Sequence, residues 1–324
     1  MKSSTFLGAV LFWRWISVNT IALVTASAVF HWSIEGDSPP TKIFDRHANL
    51  SAGTQIISYE ASADNQWMLL VGISQGEGGR IAGNMQLYSM EKKVSQVLQG
   101  HAGAFAQMKP PGRTDDAQVL VFAGTKGAGE PMQLFIMEVG RDRDAPGGVF
   151  RLPPQPIPFA ADAQADFPVS MLVSPSDDIV YMITKMGYLF LFDAHSGKPV
   201  YRARVSQDTT FVTCLESKSK GMLGITRRGQ LLQFAINKTK LVPYVVNTLR
   251  DSQLALALAT RQADFPVSML VSPSDDIVYM ITKMGYLFLF DAHSGKPVYR
   301  ARVSQDTTFV TCLESKSKGM LGIT

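Results

Sequence analysis

A run of 63 residues occurs twice in this chain of 324, letter for letter, at 164–226 and again at 262–324. The second run begins directly after Arg261 and reaches the last residue, Thr324, inside what reads as a strand. Repeats kept for their architecture drift apart, retaining only apolar pattern and turn chemistry. Identity over a whole segment points instead to a very recent duplication, or to a misassembled gene or transcript. Residues 1–261 therefore carry the information, and a fold has to be argued from them first.

Within them, short apolar runs punctuated by Gly, Pro, Asn, Asp and Ser dominate from Phe12 to Val246. The clearest unit spans 167–205, with strands expected at 169–173, 179–184, 188–192 and 199–205. Turns at 174–178 and 193–197, and a break at Lys185-Met186-Gly187, separate them, so the four strands form one antiparallel sheet. Looser versions begin near Phe12, Gln55, Ala104 and Thr210. Runs pair again at 67–73 with 85–89, at 119–123 with 132–139, and at 222–226 with 229–235. Four-stranded units spaced by about 40 to 60 residues are the signature of a β-propeller. Their inner strands are apolar on both faces because each sheet is sandwiched between two neighbours. Residues 141–162, with Pro153, Pro154, Pro156 and Pro158, read as a long inter-blade loop and not a strand. After Val246 the run Leu254-Ala255-Leu256-Ala257-Leu258-Ala259 predicts a helix over 247–261, with Asp251 or Ser252 as N-cap. The expected fold is thus all-β, five propeller-type sheets followed by a short α-helix and then a duplicated sheet segment.

Composition narrows the function classes. An apolar fraction of 46 % and a charged fraction of 18 % suit a packed core and not a disordered chain. The net charge of +4 comes from scattered bases with no run longer than two, which excludes a nucleic-acid stripe and mildly favours acidic peptide partners. Cys214 and Cys312 are one cysteine duplicated, so no disulfide framework exists and a reducing compartment is favoured. At the start, Lys2, the apolar run 6–13 and Ala26-Ser27-Ala28 have the parts of a secretory leader. Arg14 interrupts that run and the small-residue site lies about 13 residues beyond it, so a pair of strands at 12–16 and 21–25 is the preferred reading. No apolar stretch approaches the ~20 residues needed to span a bilayer.

No catalytic constellation survives inspection. The histidines, His31, His47, His101, His195 and His293, have no metal-ligand spacing to another His or Cys. Asp193, His195 and Ser196 hold the letters of a hydrolase triad, but all lie in one hairpin turn and cannot line up in sequence. Lys126-Gly127-Ala128-Gly129 lacks the spacing and following helix of a phosphate loop. The cluster Phe12-Trp13-Arg14-Trp15 reads as a strand burying alternate bulky residues between two blades in preference to a cation–π site. Propellers commonly present inter-blade grooves to extended peptides, and residues 85–98 supply apolar, amide and cationic groups on two strands and their turn. Neither a metal nor a cofactor is expected.

These residues resemble a known family. Phe12-Trp13-Arg14-Trp15-Ile16-Ser17-Val18-Asn19-Thr20, Lys42-Ile43-Phe44-Asp45-Arg46-His47, Met85-Gln86-Leu87-Tyr88-Ser89, Asp166-Phe167-Pro168-Val169 and Ile183-Thr184-Lys185-Met186-Gly187-Tyr188 are similar to the clathrin heavy chain. The match runs in order from about Phe12 to Arg261. The resemblance implies a propeller of seven blades that recruits adaptor proteins through short peptides, followed by a helical linker and leg. On that reading 1–247 is a partial propeller (five of seven blades), 248–261 the start of the linker, and 262–324 a copy. It also implies a structural coat component of clathrin-mediated transport and endocytosis, without enzyme activity. Such a protein works in the cytoplasm, on the cytoplasmic face of coated pits and vesicles, and reaches membrane only through adaptors. The full-length protein would trimerise and bind light chains through regions this sequence lacks.

The implied peptide sites transfer unequally. The groove between the family's first two blades has no counterpart, because the chain starts after the strands that build it. The arrestin-type groove falls on Trp67, Leu87, Lys92, Val94, Gln96 and Leu98, where Lys92 replaces an arginine often found there. A central site for tryptophan-bearing peptides would draw on Gln55 and Ile57, without its share from the first blade. A ring missing two blades would leave apolar faces in water and bring aggregation. Two alternatives stand beside the coat reading: a propeller enzyme with carboxylates in the central channel, secreted if cleaved after Ala28, and a fragment without function. Inward carboxylates that recur between blades are not found.

Overall fold

In the computed structural model, the structure describes residues 8–51, 53–76, 79–127, 130–142, 144–145, 147–159, 163, 165–215, 221–262, 266–272, 275–282, 286–302, 309–313 and 320–323. The N-terminal part of the apolar run read as a possible leader lies outside them. Contacts divide the chain into a unit ending at Asn237 and a second from Lys238 to Thr324.

The first unit holds the five sheets. Strands β1 (Phe12–Trp15), β2 (Thr20–Val24), β3 (Ala28–Ser33) and β4 (Thr41–Asp45) pair in sequence order. Next come β5 (Gln55–Ala61), β6 (Trp67–Gln75), β7 (Ile81–Ser89) and β8 (Val94–Met108). The strand β8 belongs to two sheets: residues 94–99 pair with β7, and residues 100–108 pair with β9 (Ala117–Gly124). The third sheet continues through β10 (Gln133–Glu138) to β11 (Gln155–Pro156). The fourth is β12 (Pro168–Ser174), β13 (Ile179–Thr184), β14 (Tyr188–Asp193) and β15 (Pro199–Arg204). The fifth has three strands, β16 (Thr210–Leu215), β17 (Met222–Thr226) and β18 (Leu231–Phe234). The first strands of successive sheets lie beside one another, which makes them the inner strands of a propeller arrangement.

Glycine makes the shared strand feasible. A Cβ on Gly100 would lie 2.7 Å from the Ala123 carbonyl oxygen, and one on Gly124 would lie 2.1 Å from that of Gln99. No other residue lets two backbones approach so closely. Between sheets the apolar faces interlock. Ala102, Val119, Val121, Leu134 and Ile136 of the third meet Met171, Val180, Met182 and Phe190 of the fourth. At the first junction Arg46 is buried, with its guanidinium donating to the carbonyl oxygens of Thr25 at 2.6 Å and of Leu50.

Three expectations need correction. The segment 141–162 is not simply a loop: β11 pairs Gln155 with Leu134 and Pro156 with Gln133. Pro156 is tolerated because β11 is the edge of its sheet and bonds on one side only. The tryptophans of β1 are not buried between blades; Phe12 packs on the core, Arg14 bonds Ser58 and Glu60, and Trp13 and Trp15 are 60 % and 46 % exposed. Burial pushes the Glu60 carboxyl upward, and Arg14 pulls it back.

The third correction opens the second unit, where the helical stretch begins nine residues before Asn247, so the boundary expected at 247 moves to 237. Helix α1 (Lys238–Tyr244) contains Pro243, and the chain then widens to a π-helical stretch at Val245–Leu249. A proline removes one donor from the ladder and clashes with the preceding turn, a known cause of such a change. Arg250 takes a left-handed conformation, φ 56°, and Asp251 then caps α2 (Ser252–Gln262), accepting the Leu254 N–H at 2.9 Å as expected. The copy follows as β19 (Pro266–Val271), β20 (Ile277–Thr282), β21 (Tyr286–Asp291) and β22 (Pro297–Arg302), then β23 (Phe309–Leu313) and β24 (Met320–Ile323). Its register repeats the first copy, including the irregularity between Pro266 and Ser268 that matches Pro168 and Ser170.

Candidate functional site

Strands β6, β7 and the first half of β8 lie side by side, and cross-strand partners share a face. Three rows result: Trp67 with Ser89 and Val94, Leu69 with Leu87 and Gln96, and Val71 with Met85 and Leu98. All five non-basic residues of the expected groove thus fall on one face of one sheet. The inner members form core, since Leu69, Val71, Met85 and Leu87 pack on Leu120, Phe122 and Phe135 of the next sheet. Trp67, Leu98 and Ile57 pack at the margin of that cluster. The outer members are open: Val94 is 51 % exposed, and Gln96 is exposed beside it. This face, apolar within and carrying an amide at its outer edge on a strand bonded to β7 on one side, is the candidate cleft.

The opposite wall is the segment just after β10. Gly140 has φ +88°, and a Cβ there would lie 3.2 Å from the Trp67 indole nitrogen. Two residues on, Asp142 Oδ1 is 3.6 Å from Lys92 Nζ, which comes from the β7–β8 hairpin. A charged network anchors this wall. Arg113 donates from Nη1 to Glu138 Oε2 at 2.8 Å and from its other nitrogens to Asp115. Arg141 donates to Asp115 at 2.9 Å, and the Phe150 N–H donates to Glu138 at 2.8 Å. The Arg113 hydrogen bond holds the Asp115 carboxyl well below its usual range, and the same bond raises Arg113. The cleft therefore offers apolar surface, an amide and an ammonium paired with an exposed aspartate.

Gln55 and Ile57 fare differently. Ile57 sits at the register irregularity between Ile56 and Ser58 and joins the same apolar cluster as Trp67. Gln55 is exposed at the start of β5, opposite Ile73, away from the Ala61–Met68 end beside Trp67. Its place is apart from the cleft, as a member of the separate central site expected from the resemblance. Gly140 and Asp142 were missed in the sequence because no local pattern signals them; only the hairpin register, once known, brings 140–142 against Trp67 and Lys92. Among the described residues no group of three or more His, Cys, Asp or Glu side chains could hold a metal ion. The letters of the triad are spent within turns: His195 bonds Asp178 at 2.9 Å and Ser196 bonds Asp193.

Residues 52–91, which include β5, β6 and β7, match the clathrin propeller repeat, and residues 239–261 match the clathrin heavy-chain linker. The probable clathrin heavy chain 1 of Caenorhabditis elegans is 46 % identical over 257 residues, covering 79 % of this chain. The chain belongs to the clathrin heavy-chain family. The clathrin heavy chain of Drosophila melanogaster is 44 % identical over 263 residues, and human clathrin heavy chain 2 is 43 % identical over 261, each covering 81 % of this chain. The chain spans about 15 % of the length of these relatives. Its β-propeller fold is that of the family's propeller repeat, and the linker match begins one residue after α1 starts. No helix among the described residues is long and apolar enough to cross a membrane.

Proposed function

We propose that this chain is a portion of a vesicle-coat protein whose inter-sheet cleft receives short linear peptides of adaptor proteins. The observation that carries this is the alignment of Trp67, Leu87, Val94, Gln96 and Leu98 on one face, with Lys92 at its end. An extended peptide lying along residues 94–98 would bury an apolar side chain against Trp67 and Leu98. It would bond the Gln96 amide and set a carboxylate near Lys92. The role is structural and not enzymatic, and the setting is the cytoplasmic face of coated pits and vesicles, with membrane reached through adaptors. In the complete protein, trimerisation and light-chain binding would belong to other regions. A central site would draw on Gln55 and Ile57.

The test is binding of a fluorescein-labelled peptide with two leucines flanking an acidic residue, followed by anisotropy. Gln96→Ala, a surface change, is expected to weaken binding about tenfold, the loss of one or more peptide hydrogen bonds. Unaltered binding by that variant would count against the reading.

A further inference from the structure

A second concave site lies elsewhere in the first unit, on the side of the hairpins that join first to second strands. Four inner strands end there, at Ala61 of β5, Met108 of β8, Ser174 of β12 and Leu215 of β16, and they leave a cavity of about 300 Å³. That volume is at the small end of ligand sites, enough for one or two apolar side chains. Its walls are chiefly apolar, from Phe105, Met108, Val173 and Leu215. Gln107, Gln118, Ser174 and Asp178 are the polar residues among the lining. Gln118 donates its amide N–H to the Ala106 carbonyl at 3.1 Å, which fixes the amide orientation and leaves Oε1 buried without a hydrogen bond. Asp178 is held in a left-handed turn conformation, φ 52°, and its carboxylate is steadied by His195 Nε2 at 2.9 Å. Among the lining residues Asp178 alone carries a formal charge at neutral pH, and no Lys or Arg is present.

A carboxylate beside an apolar pocket whose lining holds no basic residue calls for a ligand that brings positive charge. We propose that this cavity binds a short peptide carrying an apolar side chain beside a lysine or arginine, at a site independent of the Trp67 cleft. The apolar side chain fills the space between Phe105 and Val173. The cation pairs with Asp178. The charge preference is opposite to that of the Trp67 cleft, whose lip holds Lys92, so the two sites select different peptides.

The duplication supplies an internal control. The copy repeats the turn, with Asp276 at φ 52° and the Ala292 N–H bonding the Asp276 carbonyl at 2.7 Å, as Ala194 bonds Asp178 at 2.9 Å. The walls from β8 and β9 have no duplicate in the sequence. The same aspartate therefore occurs twice, with a cavity wall at the first.

The experiment measures anisotropy of fluorescein-labelled Leu-Lys-Leu and Leu-Gln-Leu amides titrated with the full chain. The lysine peptide is expected to saturate and to bind at least fivefold more tightly than the uncharged glutamine peptide. Asp178→Asn, which keeps the left-handed turn accessible, should weaken the lysine peptide three- to tenfold, and Asp276→Asn should leave it unchanged. Ala63→Trp, on an exposed position at the rim, should block binding without touching the core. Equal affinity for both peptides, equal loss in Asp178→Asn and Asp276→Asn, or no saturation of the lysine peptide at millimolar protein overturns the proposal. Gln96→Ala should not affect this peptide, so failure here is separable from failure of the adaptor-cleft reading.

Discussion

Trp67 lies on β6 and Gly140 in the segment just after β10, yet the indole nitrogen lies 3.2 Å from where a Cβ on residue 140 would stand. Their contact fixes the width of the cleft. Gly140→Val adds side-chain bulk against the indole and strains a left-handed position, φ +88°. It is expected to cost about 2 kcal/mol in urea denaturation. In a Trp67→Phe background, which removes the indole nitrogen, the same change should cost less; an additive result would sever the two residues energetically.

The pair of Lys92 and Asp142 is exposed on both sides, 53 % and 83 % for the side chains, and so contributes little to stability. Its effect should show in recognition. Asp142→Asn removes a competitor for Lys92 and is expected to tighten an acidic peptide about two- to threefold at low salt, equivalent to roughly 0.5 kcal/mol. The gain should vanish at 0.5 M salt, which screens exposed charges.

Acid should weaken the first sheet junction. The His31 imidazole, bonded to the Tyr59 hydroxyl at 2.8 Å, is lowered by burial from 6.5 to about 4. Burial raises Tyr59, which keeps its proton. Between those two values the unfolded chain binds more protons than the native one, so stability falls as pH drops through that window. The expected loss from pH 7 to pH 5 is on the order of 2 kcal/mol from this residue. His101, also lowered by burial, adds in the same direction. Unfolding midpoints for His31→Gln at the two pH values should show a smaller pH dependence than the parent chain.

Arg46 binds carbonyl oxygens of two segments from a buried position. Arg46→Met keeps much of the volume but leaves those acceptors without their donor. It should cost about 2–3 kcal/mol, and Arg46→Lys should recover part of this, because an ammonium lacks the planar fork. Chemical denaturation of the three proteins decides it.

The two copies permit one substitution at two addresses. Val173 is 9 % exposed and Val271, the identical residue 98 positions later, is 57 % exposed. Val173→Asp should cost about 3 kcal/mol or more by placing a carboxylate in the core, whereas Val271→Asp should be near neutral. Light scattering is the second readout: only Val271→Asp should reduce the self-association expected from exposed apolar groups such as Val271, Val298 and Tyr299.

Where turn chemistry was explicit, the sequence was legible. The strands expected within 167–205 form within one residue or so, because Asp178, Gly187 and Gly197 occupy positive-φ turn positions, at 52°, 80° and 71°. The two-residue β11 escaped notice because its prolines read as a break and only an edge position excuses them. Helix α1 escaped because Pro243 hides a helical turn that Leu241 and Val245 anchor by burial. Alternation along β1 was read correctly, but its polarity was not, since nothing local says that Trp13 and Trp15 face outward. Of the candidate cleft, the residues on β6 to β8 were named from the resemblance, and strand register puts them on one face. The wall at Gly140 was not, because its contact with Trp67 spans 73 positions (140 minus 67) and depends on register in two sheets.

The strand β8 leaves no slack between the second and third sheets. A loop joining two sheets lets one fray while the other holds; a single hydrogen-bonded strand transmits any displacement directly. Residues 84–124 should therefore open together in native-state hydrogen exchange, with one shared opening free energy. A force or ligand that pries the cleft at Val94 would be felt at Phe105 and at the mouth of the second cavity, through backbone alone.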